Sequence, residues 1–201
     1  MIKRCILWSI TVCLCLALFS FDGPTESNVS TYIDSYQMMA ILQMKESGIP
    51  ASVILAQAIC ESNSGSSPLA ISTNNHFGIK CKSNWEGMIH FEFDDDLDVD
   101  GKRIESCFRK YDNIEESYKD HTIFLTGSQR YRHLFKLPFY DYKNWCKGLQ
   151  DCYYSSNPEY ANILIGIIEK YDLAQYDDPN ILNIHLLEPT IGFEMEIHPN
   201  R

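Results

Sequence analysis

Residues 51–62, ASVILAQAICES, decide how this chain is read. From Ala51 to Cys60 only Ser52 and Gln57 are polar, and the run delivers its carboxylate, Glu61, at the end. Such a stretch makes about three turns at ~3.6 residues per turn. Pro50 suits the first helical position, where a missing N–H is no loss. A helix that is apolar all round belongs in a core, so Glu61 sits where that core meets something else. Gln57, four residues earlier, shares its face. Desolvation and the negative end of the helix dipole both disfavour an anion there, so the pKa of Glu61 is expected to rise, which suits a general acid. The competing reading makes Glu61 merely the first solvated residue before the polar loop SNSGSS (62–67).

Outward from this helix, punctuation divides the chain. Thr31–Glu46 reads as a helix stopped by Gly48, and residues 21–30 (FDGPTESNVS) as a polar linker. Residues 1–20 carry Lys3 and Arg4 and then an apolar run from Cys5 to Phe19, the pattern of a secretory signal peptide. The run is short for a membrane span. Leu18 and Ser20 fit the small-x-small cleavage rule poorly, which leaves an uncleaved anchor open. Val12 before Cys13 departs from the lipoprotein pattern, so no lipidation is expected.

Downstream the period changes to two. Ile89, Phe91 and Phe93 alternate with His90, Glu92 and Asp94; Ile104, Ser106 and Phe108 alternate with Arg103, Glu105, Cys107 and Arg109. With Asp100-Gly101 between them, residues 85–111 read as a β-hairpin with a long acidic connection. Helical period then returns: Asn113 with Glu116 caps a helix carrying Tyr118, Phe124 and Leu125. A second helix holds Trp145 and Leu149. A third starts at a Ser156/Glu159 capping box and buries Ile163, Leu164, Ile167, Ile168 and Tyr171. The expected fold is α+β, mostly helical and lysozyme-like, with one inserted hairpin lobe. The domain is expected over residues 31–178, with a tail over 179–201.

The chain has 201 residues, 45% hydrophobic and 22% charged, enough for one domain with a proper core. Its formal charge of −10 becomes −12 once Lys3 and Arg4 leave with the leader, which argues against a nucleic-acid partner. A polysaccharide would have to be gripped by aromatic faces and hydrogen bonds. Cys60, Cys81, Cys107, Cys146 and Cys152 follow the leader with no zinc spacing, so an exported chain points to disulfides and one leftover thiol. Cys81 and Cys107 flank the hairpin and are the first expected pair. Asp96, Asp98, Asp100 and Gly101 match the first half of a calcium loop, but Arg103 and Cys107 stand where the second half needs other residues, and the flanks are strands. No metal and no cofactor are expected. Cys60 as a peptidase nucleophile is disfavoured because it lies at a helix C-terminus rather than an N-terminus.

Six strings in order, IPASVILAQAICES (49–62), NNHFGIKC (74–81), CFRKY (107–111), ESYKDHTIFL (116–125), RYRHLF (130–135) and YYSSNPEYANILIGIIEKYDL (153–173), resemble the bacterial β-N-acetylglucosaminidases of glycoside hydrolase family 73, the domain of autolysins and of the flagellar rod-cap protein. The resemblance covers about residues 33–177. It implies a lysozyme-like fold and cleavage of the bond between N-acetylglucosamine and N-acetylmuramic acid in peptidoglycan, with Glu61 as general acid. Counting from Trp85, the family's second carboxylate falls on Asp96, with Asp94, Asp95 and Glu92 as neighbours that could serve instead. Inversion and substrate assistance by the acetamido group both stay open, because they turn on a separation of carboxylates. Aligning Asn157-Pro158 puts Tyr154 at the family's cleft tyrosine. Tyr153 stands where the family has glycine, and a positive φ there would strain it. Asn75, Phe77, Trp85 and Tyr153 are the further candidate sugar contacts.

The expected partner is the peptidoglycan glycan strand, met by a monomer with no integral membrane domain, exported to the periplasm or beyond. Two other readings keep the fold: a glycan-binding descendant without turnover, and a lytic transglycosylase that needs only Glu61.

Overall fold

A computed structural model describes residues 26–82, 85–178 and 180–181; of residues 95–97 only the backbone is described. The expected leader (1–20) and nearly all of the expected tail lie outside the described residues. Helix α1 (Glu26–Ser47) starts five residues before the expected Thr31, so residues 26–30 are helical rather than linker. Helix α2 (Ala51–Ser62) follows, with Pro50 just before its first turn. Then come the short α3 (Pro68–Thr73), the hairpin strands β1 (Ile89–Leu97) and β2 (Arg103–Arg109), α4 (Ile114–Gly127), two 3-10 turns, α5 (Tyr142–Asp151), α6 (Tyr160–Lys170) and a last 3-10 turn, Leu173–Asp177. Among the described residues no helix is long and apolar enough to cross a membrane.

The core is built around α2. Every residue from Ala51 to Ile59 is buried, wrapped by α1, α5, α6 and the Leu173–Asp177 turn. Val53, Ile54 and Leu55 are fully enclosed, each worth about 1.5–3 kcal/mol in burial. Trp145, Leu149, Leu164 and Ile168 close the core from α5 and α6. Ile163, by contrast, is 36% exposed and lies off that face.

The two ends of α2 are closed differently. At the N-terminus there is no local side-chain cap; instead Asp177, 125 residues away, accepts from Ser52 N at 2.8 Å and Ser52 Oγ at 2.7 Å. A carboxylate there satisfies an orphan N–H and complements the positive helix end. At the C-terminus Asn63 turns left-handed at φ 51 and stops the helix just beyond Glu61. The Asn113 cap of α4 forms as expected, its Oδ1 accepting from Glu116 N at 3.0 Å. The Ser156/Glu159 box does not. Asn157 Oδ1 accepts from Glu159 N at 2.9 Å, and α6 begins only at Tyr160.

The hairpin is antiparallel with Ile89 opposite Arg109 and Phe93 opposite Glu105. Between Phe93 and Leu97 the register shifts, so Asp94–Asp96 form a bulge against a single residue of β2. Cys81 and Cys107 are bridged as expected. Cys60, Cys146 and Cys152 are free thiols, two more than the expected single leftover.

Candidate active site

A cleft of about 750 Å³ opens between the C-terminal end of α2 and the hairpin. Glu61, Phe77, Lys80, Lys82, Asp94, Phe124 and Tyr154 contribute to its walls, with Ser155 and Ser156 at one side.

Glu61 reaches this cleft because α2 is buried along its length and ends there. Tyr160, the first residue of α6, donates its hydroxyl to Glu61 Oε1 at 2.7 Å. Gln57 Nε2 in turn donates to Tyr160 Oη at 3.1 Å. The Gln57 and Glu61 that the sequence placed on one face are thus joined through a tyrosine from the other end of the chain. Burial pushes the Glu61 carboxyl up to about 7, opposed by the Tyr160 hydrogen bond and assisted by the nearby charge of Asp94. A carboxyl at that value is protonated for a fraction of the time at neutral pH and can give its proton to a leaving oxygen.

Tyr154 lines the cleft beside this pair. Its ring stacks on Tyr160 at 5.6 Å between centroids, and its hydroxyl lies a long 3.5 Å from Phe77 O. Phe77 is itself backed by His121, stacked at 3.9 Å. Full burial pushes His121 down to about 3, so the imidazole is neutral and works as a flat packing surface behind the cleft.

On the opposite wall Asp94 projects from the bulge of β1, its Oδ2 2.8 Å from Lys80 Nζ. The side chain of Asp96, the expected second carboxylate, lies outside what is described, although its backbone stands in the same bulge. Among the described side chains of the hairpin, Asp94 is a carboxylate that lines the cleft with Glu61.

Three expected sugar contacts lie elsewhere. Asn75 is 1% exposed and is occupied with backbone: its Nδ2 donates to Ile79 O and Arg109 O, and its Oδ1 accepts from Ile79 N. It shapes the loop that carries Phe77 and Lys80. Trp85 donates to Met88 O and lies against Arg109, whose guanidinium is 4.5 Å above its ring. Tyr153 does adopt the left-handed φ of 52° that its glycine-like position suggested, which turns its side chain to solvent at 81% exposure. It adds no face to the cleft.

Sequence reasoning missed Tyr160 and Lys82. Tyr160 was visible only as one residue of a motif string, and its partner stands 99 residues earlier. The free thiol beside Glu61 is no rival nucleophile, since burial and the Glu61 charge push Cys60 up to about 12. Among the described residues, no three His, Cys, Asp or Glu side chains converge on a metal site.

A family model described as mannosyl-glycoprotein endo-beta-N-acetylglucosaminidase matches residues 37–173. Exo-glucosaminidase LytG of Bacillus subtilis (strain 168) is 34% identical over 185 residues, covering 86% of this chain and 64% of LytG. Peptidoglycan hydrolase FlgJ of Escherichia coli (strain K12) is 26% identical over 75% of this chain and 49% of its own. This chain therefore spans less than two thirds of the first and about half of the second. Among solved structures, the catalytic domain of the autolysin Auto from Listeria monocytogenes superposes with a TM-score of 0.66 at 29% identity, covering 76% of this chain and 89% of that one.

Proposed function

This chain belongs to the glucosaminidase family, a family of glycoside hydrolases, and on that footing we propose that it is an exported peptidoglycan hydrolase cleaving the β-1,4 bond from N-acetylglucosamine to N-acetylmuramic acid. The observation that carries this reading is Glu61: an acid at the end of a buried helix, held by Tyr160 and facing Asp94 across a cleft.

In the proposed reaction Glu61 protonates the glycosidic oxygen as the bond to C1 of N-acetylglucosamine breaks. The Tyr160 hydroxyl keeps Oε1 in a donated hydrogen bond, which fixes the rotamer and stabilises the carboxylate left when the proton goes. Asp94 supports the positive charge that develops at C1, or takes a proton from the water that adds there. Tyr154 flanks the reacting sugar. The ion pair with Lys80 holds the Asp94 side chain in place across from the acid. We assign this role to Asp94 because its described side chain lines the cleft; Asp96, which counting along the sequence points to, stands two residues on in the same bulge.

The test is mass spectrometry of soluble products after incubating the exported form and its Glu61→Gln variant with peptidoglycan. New N-acetylglucosamine reducing ends from the unmodified protein alone support the reading. Anhydro-muramic ends would convert it to transglycosylation. Binding to the wall without soluble products from either protein would leave a glycan-binding domain and sink the hydrolase.

A further inference from the structure

Among the described residues, the charged side chains that line the cleft are Glu61, Lys80, Lys82 and Asp94. Lys80 and Asp94 form an ion pair and offset one another. Glu61 is the half-buried acid at the end of α2. Lys82 is what is left, and it is not placed like an ordinary surface lysine. Its Nζ stands 4.5 Å over the ring of Phe124, another cleft residue. A cation held against an aromatic face gives up much of its freedom to swing and becomes a positioned charge.

The surroundings sharpen this. The whole molecule carries a formal charge of −10, so a positioned cation at the cleft runs against the general field and offers a local attraction to an anionic group. The two sugars of the proposed substrate differ in the matching respect. N-acetylglucosamine carries no acid. N-acetylmuramic acid carries a lactyl group, whose carboxyl is free on a bare glycan strand; when a stem peptide is attached that carboxyl is an amide, and the peptide brings carboxylates of its own.

We propose that Lys82 is a specificity-determining residue that receives a substrate carboxylate, ranking muramyl-containing strands above uncharged N-acetylglucosamine polymers. The inference rests on the glucosaminidase reading for its substrate, but not on turnover. Phe124 sets the height of the ammonium, and the neighbouring Lys80 is held by Asp94, which divides the two lysines between an enzyme-side and a substrate-side task.

The experiment measures equilibrium binding in the Glu61→Gln background with Lys82, Lys82→Met and Lys82→Arg, against three ligands of equal length: a chito-oligosaccharide, a bare glycan strand and a stem-bearing strand. Lys82→Met keeps an unbranched side chain against Phe124 and removes only the charge. It is expected to raise Kd about tenfold for a carboxylate-bearing ligand, the size of a charge-assisted contact at a partly open site, and to leave the chito-oligosaccharide unchanged. Lys82→Arg should restore the affinity, and the gap between Lys82 and Lys82→Met should close as salt is raised. A loss with the bare strand identifies the lactyl carboxylate; a loss confined to the stem-bearing strand identifies the peptide. Equal losses on all three ligands, no loss on any, or no binding at all would overturn the proposal. Cleavage of the same ligands by the protein with Glu61 intact is followed in parallel. Failure there removes the hydrolase reading while a charge-selective Kd still upholds Lys82.

Discussion

The two walls of the cleft place their carboxylates by opposite means. Glu61 is delivered by α2, whose residues from Ala51 to Ile59 are all buried, so its position is set by the packing of the whole domain. Asp94 is delivered by a two-stranded hairpin whose outer residues Ile89, Phe91 and Phe93 are 50%, 55% and 62% exposed. That lobe is too small to have a core of its own. It is held instead by discrete fastenings: the Cys81–Cys107 bridge, the Lys80–Asp94 pair, and Arg109, which forms two hydrogen bonds of 2.7 and 2.9 Å to Asp120 of α4. One wall is fixed by bulk and the other by clips. In the proposed reaction the acid whose proton must be aimed is carried by the rigid wall, and the charge-stabilising partner by the wall more easily displaced when a glycan strand enters.

The sharpest challenge to this contrast is Glu61→Gln, expected to lower kcat by about 10³-fold or more, as loss of the acid requires. The same substitution has a signature in stability. The folded protein keeps Glu61 protonated up to about 7, against an ordinary value of 4.5. Its folded-state pKa is raised, so its contribution is fully present below about 4.5 and is lost as pH rises through about 7. Urea titrations at a series of pH values should show that slope in the unmodified protein and not in the variant; a stability loss at every pH would contradict the placement of the acid.

Removing the main clip comes next. Cys107→Ser is expected to cost about 3–4 kcal/mol for a loop of this length, and hydrogen exchange should rise in β1 and β2 with little change in α2. Uniform loosening of both walls would show that they are a single unit and break the comparison. Asp94→Asn is expected to reduce kcat by about 10²-fold with near-native thermal stability, since a partly exposed pair contributes little to folding. If Asp94→Asn is silent while Asp96→Asn is not, the second carboxylate reverts to Asp96.

The smallest effect expected is that of Tyr160→Phe, about tenfold in kcat, the loss of one aimed hydroxyl. Its direction on pH is specific. The Tyr160 bond lowers the Glu61 pKa against the pull of burial, so losing it raises that pKa further. The protonated carboxyl is the working form, and the alkaline limb of the rate profile should therefore move up. A downward move would mean that Tyr160 stabilises the neutral acid instead.

Much of the rigid wall was legible. An all-apolar run ending in a carboxylate encodes burial directly, and burial is what moves the pKa. The disulfide was legible as well, because Cys81 precedes a recognisable hairpin and Cys107 lies in its second strand. The other wall was less so. Period two says that residues alternate, but the bulge at Asp94–Asp96 resets the alternation, so counting from Trp85 names a neighbourhood and not a residue. Asn75, Trp85 and Tyr153 were chosen for the right chemistry, yet each is oriented by backbone partners or a left-handed φ that composition does not reveal. Tyr160 reaches Glu61 only once α6 has docked on α2, a contact that no local pattern announces.

The pairing of Asp177 with Ser52 has a temporal consequence. Its two partners are separated by 125 residues, so the helix that bears the acid acquires its N-terminal anchor only when almost the entire domain has been synthesised and is free to close upon itself. Long-range closure of this kind is among the later events in folding. A nascent chain still threaded through a ribosome has Glu61 in its sequence but not yet the anchor that fixes its helix, and on the proposed reading the competence to cut arrives with the Leu173–Asp177 turn.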